Sequence, residues 1–142
     1  MTLYYEDINK GDELPELVKD PVTHTQLVRY SGASGDFNPI HTVPDVAKMV
    51  GLPNIIAHGM LIMGFAGQFI TDWAGAGSMR RFKVRFSGMT NEKESVVCRG
   101  SVLEKSEVDG EYRVKGRFTV KGADDDSLKL KGDFEVAVES RG

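Results

Sequence analysis

HGMLIMGFAGQFITDWAG, residues 58–75, is the stretch on which the fold turns. Met60, Leu61, Ile62, Met63, Phe65, Phe69, Ile70 and Trp73 surround most of a helix circumference, where a surface helix would carry a single apolar stripe. A helix apolar nearly all round belongs inside something. The run is too short to span a bilayer and is broken by Gly and Gln, so the rest of the chain has to supply the interior.

The residues that follow supply it. MRRFKVRF alternates Phe82, Val84 and Phe86 with Arg81, Lys83 and Arg85. EYRVKGRFTVK places Tyr112, Val114, Gly116, Phe118 and Val120 on one side, and LKLKGDFEVAV does the same with Leu128, Leu130, Gly132, Phe134, Val136 and Val138. ESVVCRGSVLEKSE is a fourth, less regular strand. Period two with one polar face means antiparallel strands buried on one side only. VDGE and GADDDS are hairpin-sized loops. The expected fold class is α+β: one curved antiparallel β-sheet wrapped around a long buried α-helix, with PELVKDPV as a candidate early strand. A single-layer sheet leaves edges that a second copy or a related subunit would cover, so a dimer is expected.

Upstream the chain reads helical. Thr23 is a plausible N-cap for HTQLVRYSGAS, and Pro44 fits the first turn of PDVAKMVG, which Gly51 and Pro53 end. The 142 residues fit one domain, 1–142, with 40% apolar and 27% charged residues. A net charge of −3 argues against nucleic acid as the main partner. The single cysteine, Cys98, forms no intrachain disulfide and reads as a buried, inert thiol. The N-terminal residues contain acids and no apolar core of a signal peptide, and nothing reads as a membrane segment; a cytoplasmic enzyme or binding protein is expected.

Between the first two helices lies SGDFNPIH, Ser34 to His41. Pro39 pushes Asn38 out of the α region, so the chain from Asp36 to His41 leaves the helix. A rigid loop there can turn Asp36 and His41 toward one spot, where a carboxylate and an imidazole form a proton-transfer site usable at neutral pH. Asn38 can orient one of them through its amide. The same residue types serve turns, and on this loop alone the turn reading stands beside the chemical one.

AHGM, Ala57 to Met60, opens the buried helix with a glycine. Free N–H groups at a helix start, aided by the dipole, stabilise developing negative charge, and the Gly59 N–H is a credible oxyanion donor. Close packing at Gly59 and backbone capping by His58 are the alternative. Taken together, the acid–histidine loop and the helix start suit proton transfer beside a thioester carbonyl.

YSGASGDFNPIH followed by TVPDVAKMVGLPNIIAHGM resembles the signature of the MaoC-like (R)-specific enoyl hydratase and (3R)-hydroxyacyl dehydratase family. The resemblance implies a hot-dog fold, with the motif region covering about residues 23–75, and within the family it is nearest to the HadB-type catalytic dehydratase subunit. Residue by residue, it implies Asp36 and His41 as the catalytic pair, Asn38 as the orienting amide and Gly59 as the N–H donor to the thioester oxygen. It further implies reversible dehydration of 3-hydroxyacyl thioesters, or hydration of trans-2-enoyl thioesters, carried on CoA or acyl carrier protein (ACP). No metal and no cofactor are implied, and the partner is a homodimer mate or a related hot-dog subunit. Some members place serine where this chain has Gly67, which favours the dehydratase-like branch. A non-catalytic acyl-thioester-binding or structural hot-dog subunit and an acyl-thioester thioesterase are the rival functions.

The remaining features carry less. Met49, Met60 and Met63 are expected in the core, as is Tyr30. Three histidines without a spaced acidic or cysteine set give no metal signal in the sequence. Arg80, Arg81, Lys83 and Arg85 form a basic cluster on one strand, able to receive CoA phosphates or an acidic carrier but also readable as an ordinary solvated face.

Overall fold

The computed structural model describes residues 2–142. Three α-helices, α1 (His24–Ser34), α2 (Pro44–Met49) and α3 (Gly59–Ala74), precede most of a five-stranded sheet. Its strands are β1 (Leu17–Val18), β2 (Met79–Phe86), β3 (Val96–Val108), β4 (Glu111–Gly122) and β5 (Leu128–Val138). All neighbours pair antiparallel in the order β1-β3-β4-β5-β2. This is an α+β, hot-dog-like arrangement, with the sheet packed over α3. PELVKDPV contributes only the two residues of β1.

Local chemistry explains the boundaries. Thr23 caps α1 through a reciprocal box: its hydroxyl accepts the Gln26 N–H, and the Gln26 side chain accepts the Thr23 N–H. Gly35, at φ +78°, ends the helix in the left-handed region. Asn38 caps a 3-10 turn, Pro39–His41, by accepting the Ile40 N–H, and Pro39 supplies the fixed φ. The β3–β4 hairpin turns on Asp109 and Gly110, both with positive φ, as a two-residue turn between twisted strands requires.

The alternation read from the sequence holds along β4, where Val114, Gly116, Phe118 and Val120 are buried. Phe118 pairs across the sheet with Gly100 on one side and Gly132 on the other, while Gly116 pairs with Phe134. A β-carbon at Gly116 would come within 2.3 Å of the Phe134 ring, so glycine leaves the space that the ring fills. Phe82, Phe118 and Phe134 form a tilted aromatic row under α3, and Trp73 meets Phe134 edge-on.

The long helix departs from expectation. α3 buries one face, Ile62, Phe65, Ala66, Phe69 and Ile70, while Met60 is 57% exposed and Leu61, Met63 and Trp73 are half-buried. The helix is therefore packed on the sheet and not enclosed by it. One sheet layer can cover only one side of a helix, so the apolar far side stays open in a single chain. Met49, expected in the core, is also exposed. At the sheet's edge, β2 has β5 as its partner on one side only. Among the described residues, no helix is long and apolar enough to cross a membrane.

Candidate functional site

An extended segment, residues 55–58, carries the chain from α2 into α3 and is buried throughout. Its N–H groups are taken up on both sides: Ile56 donates to the Ile40 carbonyl and Ala57 to the Thr90 carbonyl. The loop that holds Thr90 is pinned by Lys129, a 4% exposed lysine that donates to the Met89 carbonyl at 2.9 Å and pairs with Glu94. This bracing sets the position of His58, the residue before α3, against the 3-10 turn that ends in His41.

His41 is 7% exposed. Its Nδ1 lies 2.7 Å from the Ile56 carbonyl oxygen. A carbonyl only accepts, so Nδ1 carries the hydrogen and the neutral ring keeps its lone pair on Nε2. Nε2 sits 3.8 Å from Asp36 Oδ2. Asp36 reaches out from the loop with a half-exposed side chain, and its Oδ1 accepts the Asn38 backbone N–H at 3.2 Å. Asn38 thus meets Asp36 through its main chain, while its side-chain oxygen is the cap on the 3-10 turn. The amide expected to orient the pair has its oxygen taken up by the Ile40 N–H, and the contact with Asp36 is made by the backbone N–H.

The start of α3 lies alongside. Leu61 and Ile62 donate back to the His58 carbonyl, so the Gly59 and Met60 N–H groups come before the first intrahelical bond. The Phe86 ring lies over Gly59, 3.1 Å from where a β-carbon would stand. A glycine there is consistent both with an open N–H and with this ring contact. Phe37, Met60, Phe86 and Met89 are all more than half or about half exposed. Phe37 adjoins Asp36, and Met60 and Phe86 adjoin the Gly59 N–H.

His58 is the residue whose place the sequence did not reveal. It is 2% exposed, its ring stacks on His41 with centroids 3.8 Å apart, and Tyr30 meets it edge-on at 4.8 Å. Its Nε2 lies 3.2 Å from the Asp36 carbonyl oxygen and 3.1 Å from Ser31 Oγ. Burial, and then the neighbouring His41, hold its pKa below the usual histidine value, against a weaker opposing pull from Asp36. The contacts to Ser31 and Asp36 join residues 27 and 22 positions apart, so spacing carried no signal; only the HG dipeptide at the helix start drew attention to it.

Asp36, His41 and His58 bring three ligand-type atoms within 4.8 Å of one another, a convergence that local sequence spacing did not suggest. The Ile56 and Asp36 carbonyls take up His41 Nδ1 and His58 Nε2, and His41 Nε2 is left facing the Asp36 carboxylate. The cluster is organised for hydrogen bonding. The third histidine, His24, bonds the Thr42 carbonyl at 2.7 Å and ties α1 to the same turn.

The other singled-out residues separate from the site. Gly67 has room for a β-carbon, which would meet only the Phe82 ring at 3.8 Å, and Gln68 beside it accepts a hydrogen bond from Lys19. Cys98 is buried, and burial pushes its thiol up to about 12. Of the basic cluster, Arg80 is held by Glu111 and Arg81 lies 3.8 Å from Asp133. Lys83 and Arg85 face a trough on the outer side of the sheet with Arg117 and Lys131.

The model of the MaoC-like domain matches residues 9–123. The chain belongs to the MaoC-like domain family. Residues past the match supply β5, without which β2 would have no place in this sheet. This MaoC-like chain is 31% identical over 111 residues to the peroxisomal hydratase-dehydrogenase-epimerase of Neurospora crassa, a match covering 77% of the chain and 12% of that protein. The chain spans between 4% and 12% of the length of the first curated relatives it matches. Among solved structures, a MaoC-like dehydratase is 31% identical with a TM-score of 0.79, over 98% of this chain and 42% of that one. The unliganded R-hydratase PhaJ1 of Pseudomonas aeruginosa has a TM-score of 0.87 over 99% of this chain and 88% of its own, at 20% identity, which speaks for the fold alone.

Proposed function

We propose that this MaoC-like chain is a hydro-lyase that dehydrates (R)-3-hydroxyacyl thioesters and hydrates trans-2-enoyl thioesters. The observation that carries the proposal is the facing of His41 Nε2 and Asp36 Oδ2 at 3.8 Å, beside a helix start with unspent N–H groups. One water, or one substrate hydroxyl, can hydrogen-bond both atoms at once. In dehydration, one member of the pair removes the α-proton and the other delivers a proton to the departing β-hydroxyl, which leaves as water. The C–H and C–O bonds break, the Cα–Cβ double bond forms, and the pair ends with as many protons as it began. Hydration runs the same steps backwards. The Gly59 N–H takes the enolate oxygen as charge develops on the thioester.

The finer assignment belongs to the same proposal. Residues 1–142 act as one domain of the HadB-type catalytic kind, on substrates carried by CoA or ACP, and a second hot-dog subunit, identical or related, covers the open side of α3. The exposed Phe37, Met60 and Phe86 support that cover.

Crotonyl-CoA assayed with two readouts tests the function. Loss of enoyl absorbance without release of free thiol is expected, with the product of (R) configuration. Thiol release would mean hydrolysis, and no change in either signal would leave a binding role.

A further inference from the structure

His58 touches every part of the proposed site, yet the reaction as written gives it no step. Its Nε2–H donates to the Asp36 carbonyl, an acceptor only, so the neutral ring carries its hydrogen on Nε2 and leaves Nδ1 bare. Nδ1 is buried and has no hydrogen-bond partner among the described residues. Protonating it would strand a buried N–H and set a cation face to face with His41 at 3.8 Å. The groups facing His58 are His41, Asp36, Tyr30 and Ser31. Of these, only Asp36 would favour a charge on the ring.

Two degrees of freedom in the reacting pair end at this residue. His41 is anchored by the single bond from Nδ1 to Ile56, about which its ring could swing. The His58 ring, inclined by 22° to it, blocks that swing on one face. The Asp36 backbone, from which the carboxylate projects, is held by the His58 Nε2–H. His58 is also the N-cap of α3, so the same residue ties both to the Gly59 N–H.

We propose that His58 is a positioning residue that stays neutral throughout the cycle, fixing Asp36 through its Nε2–H and His41 through its ring face. The proposal deepens the hydro-lyase reading and rests on it for the role of the pair. Two variants dissect the parts. His58→Phe keeps a ring face and loses the donor; His58→Gln keeps a donor and loses the ring.

Displacement of a reacting group by about 1 Å can cost on the order of 100-fold in rate. Each variant is therefore expected to lose about 10- to 100-fold in kcat, with KM for crotonyl-CoA changed less than about threefold and both limbs of the pH–rate profile retained. Unchanged kcat in both variants, or loss of one limb, would overturn the proposal; the second result would make His58 a proton carrier.

An arm that needs no turnover keeps the two readings apart. With only three histidines in the chain, side-chain nitrogen NMR can follow each ring. His58 is expected as the neutral Nε2–H form from about pH 6.5, the ordinary histidine midpoint, to 8, with its hydrogen on the nitrogen that faces the Asp36 carbonyl. A His58 that titrates in that range, or carries its hydrogen on Nδ1, overturns its role whatever the activity. Failure of the wild-type chain to act on crotonyl-CoA, with His58 neutral as expected, would instead overturn the hydro-lyase reading.

Discussion

Asp36→Asn separates chemistry from structure at the proposed site. The replacement keeps the shape of the side chain and removes its charge. Oδ1, which accepts the Asn38 N–H at 3.2 Å, remains an oxygen in asparagine, so the loop retains its internal bond. Oδ2, 3.8 Å from His41 Nε2, is the atom that becomes an amide nitrogen. The Asp36 side chain is 53% exposed although its partner His41 is buried, so solvent screens the pairing and its contribution is about 0–1 kcal/mol. At about 2–4 °C per kcal/mol for a chain near this size, the melting temperature should fall by no more than about 4 °C. Removing one of two acid–base groups costs turnover about 100- to 10,000-fold, a barrier increase of about 2.7–5.4 kcal/mol at 1.36 kcal/mol per decade. Thermal unfolding and the initial rate of crotonyl-CoA hydration, measured on the same preparation, test both sides. The reasoning is refuted if turnover stays within tenfold of wild type. It is equally refuted if melting falls by more than about 10 °C, a loss that a solvent-screened pair cannot explain.

Three further outcomes follow from packing and charge. Gly116→Ala would drive a methyl to 2.3 Å from the Phe134 ring and 2.6 Å from the Ser101 carbonyl, neither of which has room to retreat; overpacking of about 2–3 kcal/mol should lower the melting temperature by roughly 4–12 °C, and an unchanged melt would show that the sheet yields. Lys129→Met leaves the Glu94 carboxylate partly buried without its partner, at a cost of about 3 kcal/mol in urea unfolding; adding Glu94→Leu should recover part of it, and a double variant weaker than the single would count against the pairing. For His58, the folded pKa lies below the unfolded one, so as pH falls below about 6.5 the unfolded chain binds the proton first and stability declines by up to about 1.36 kcal/mol per pH unit until the folded pKa is reached. Urea unfolding between pH 7 and 5 should therefore fall more steeply in wild type than in His58→Gln, and parallel curves would remove the linkage.

Local patterns made much of the molecule legible. Alternation in 111–138 is imposed by a pleat that sends successive side chains to opposite faces, so it marks strands whatever their partners. Thr23, Gly35 and Pro39 act within a few residues of themselves, and their boundaries could be read for that reason. Asp36 and His41 were visible as a pair because one short loop holds both. The reading of α3 as enclosed failed where locality ends: an apolar circumference says that a surface should be covered, but what covers it depends on a sheet layer, which reaches only one side.

Short-range facts are written in the residues alone: a two-period sheet, an apolar helix opening with His-Gly, and an acid and a histidine on a non-helical loop. Which nitrogen of His41 faces Asp36 is fixed by folding alone, because the Ile56 carbonyl, 15 residues away, makes the choice. Folding also brings His58 onto His41 and under the Asp36 backbone. Those contacts arise where the 55–58 segment is clamped between the 3-10 turn and the Lys129-braced loop, and hydrogen bonds between segments so far apart leave no periodic mark in the chain.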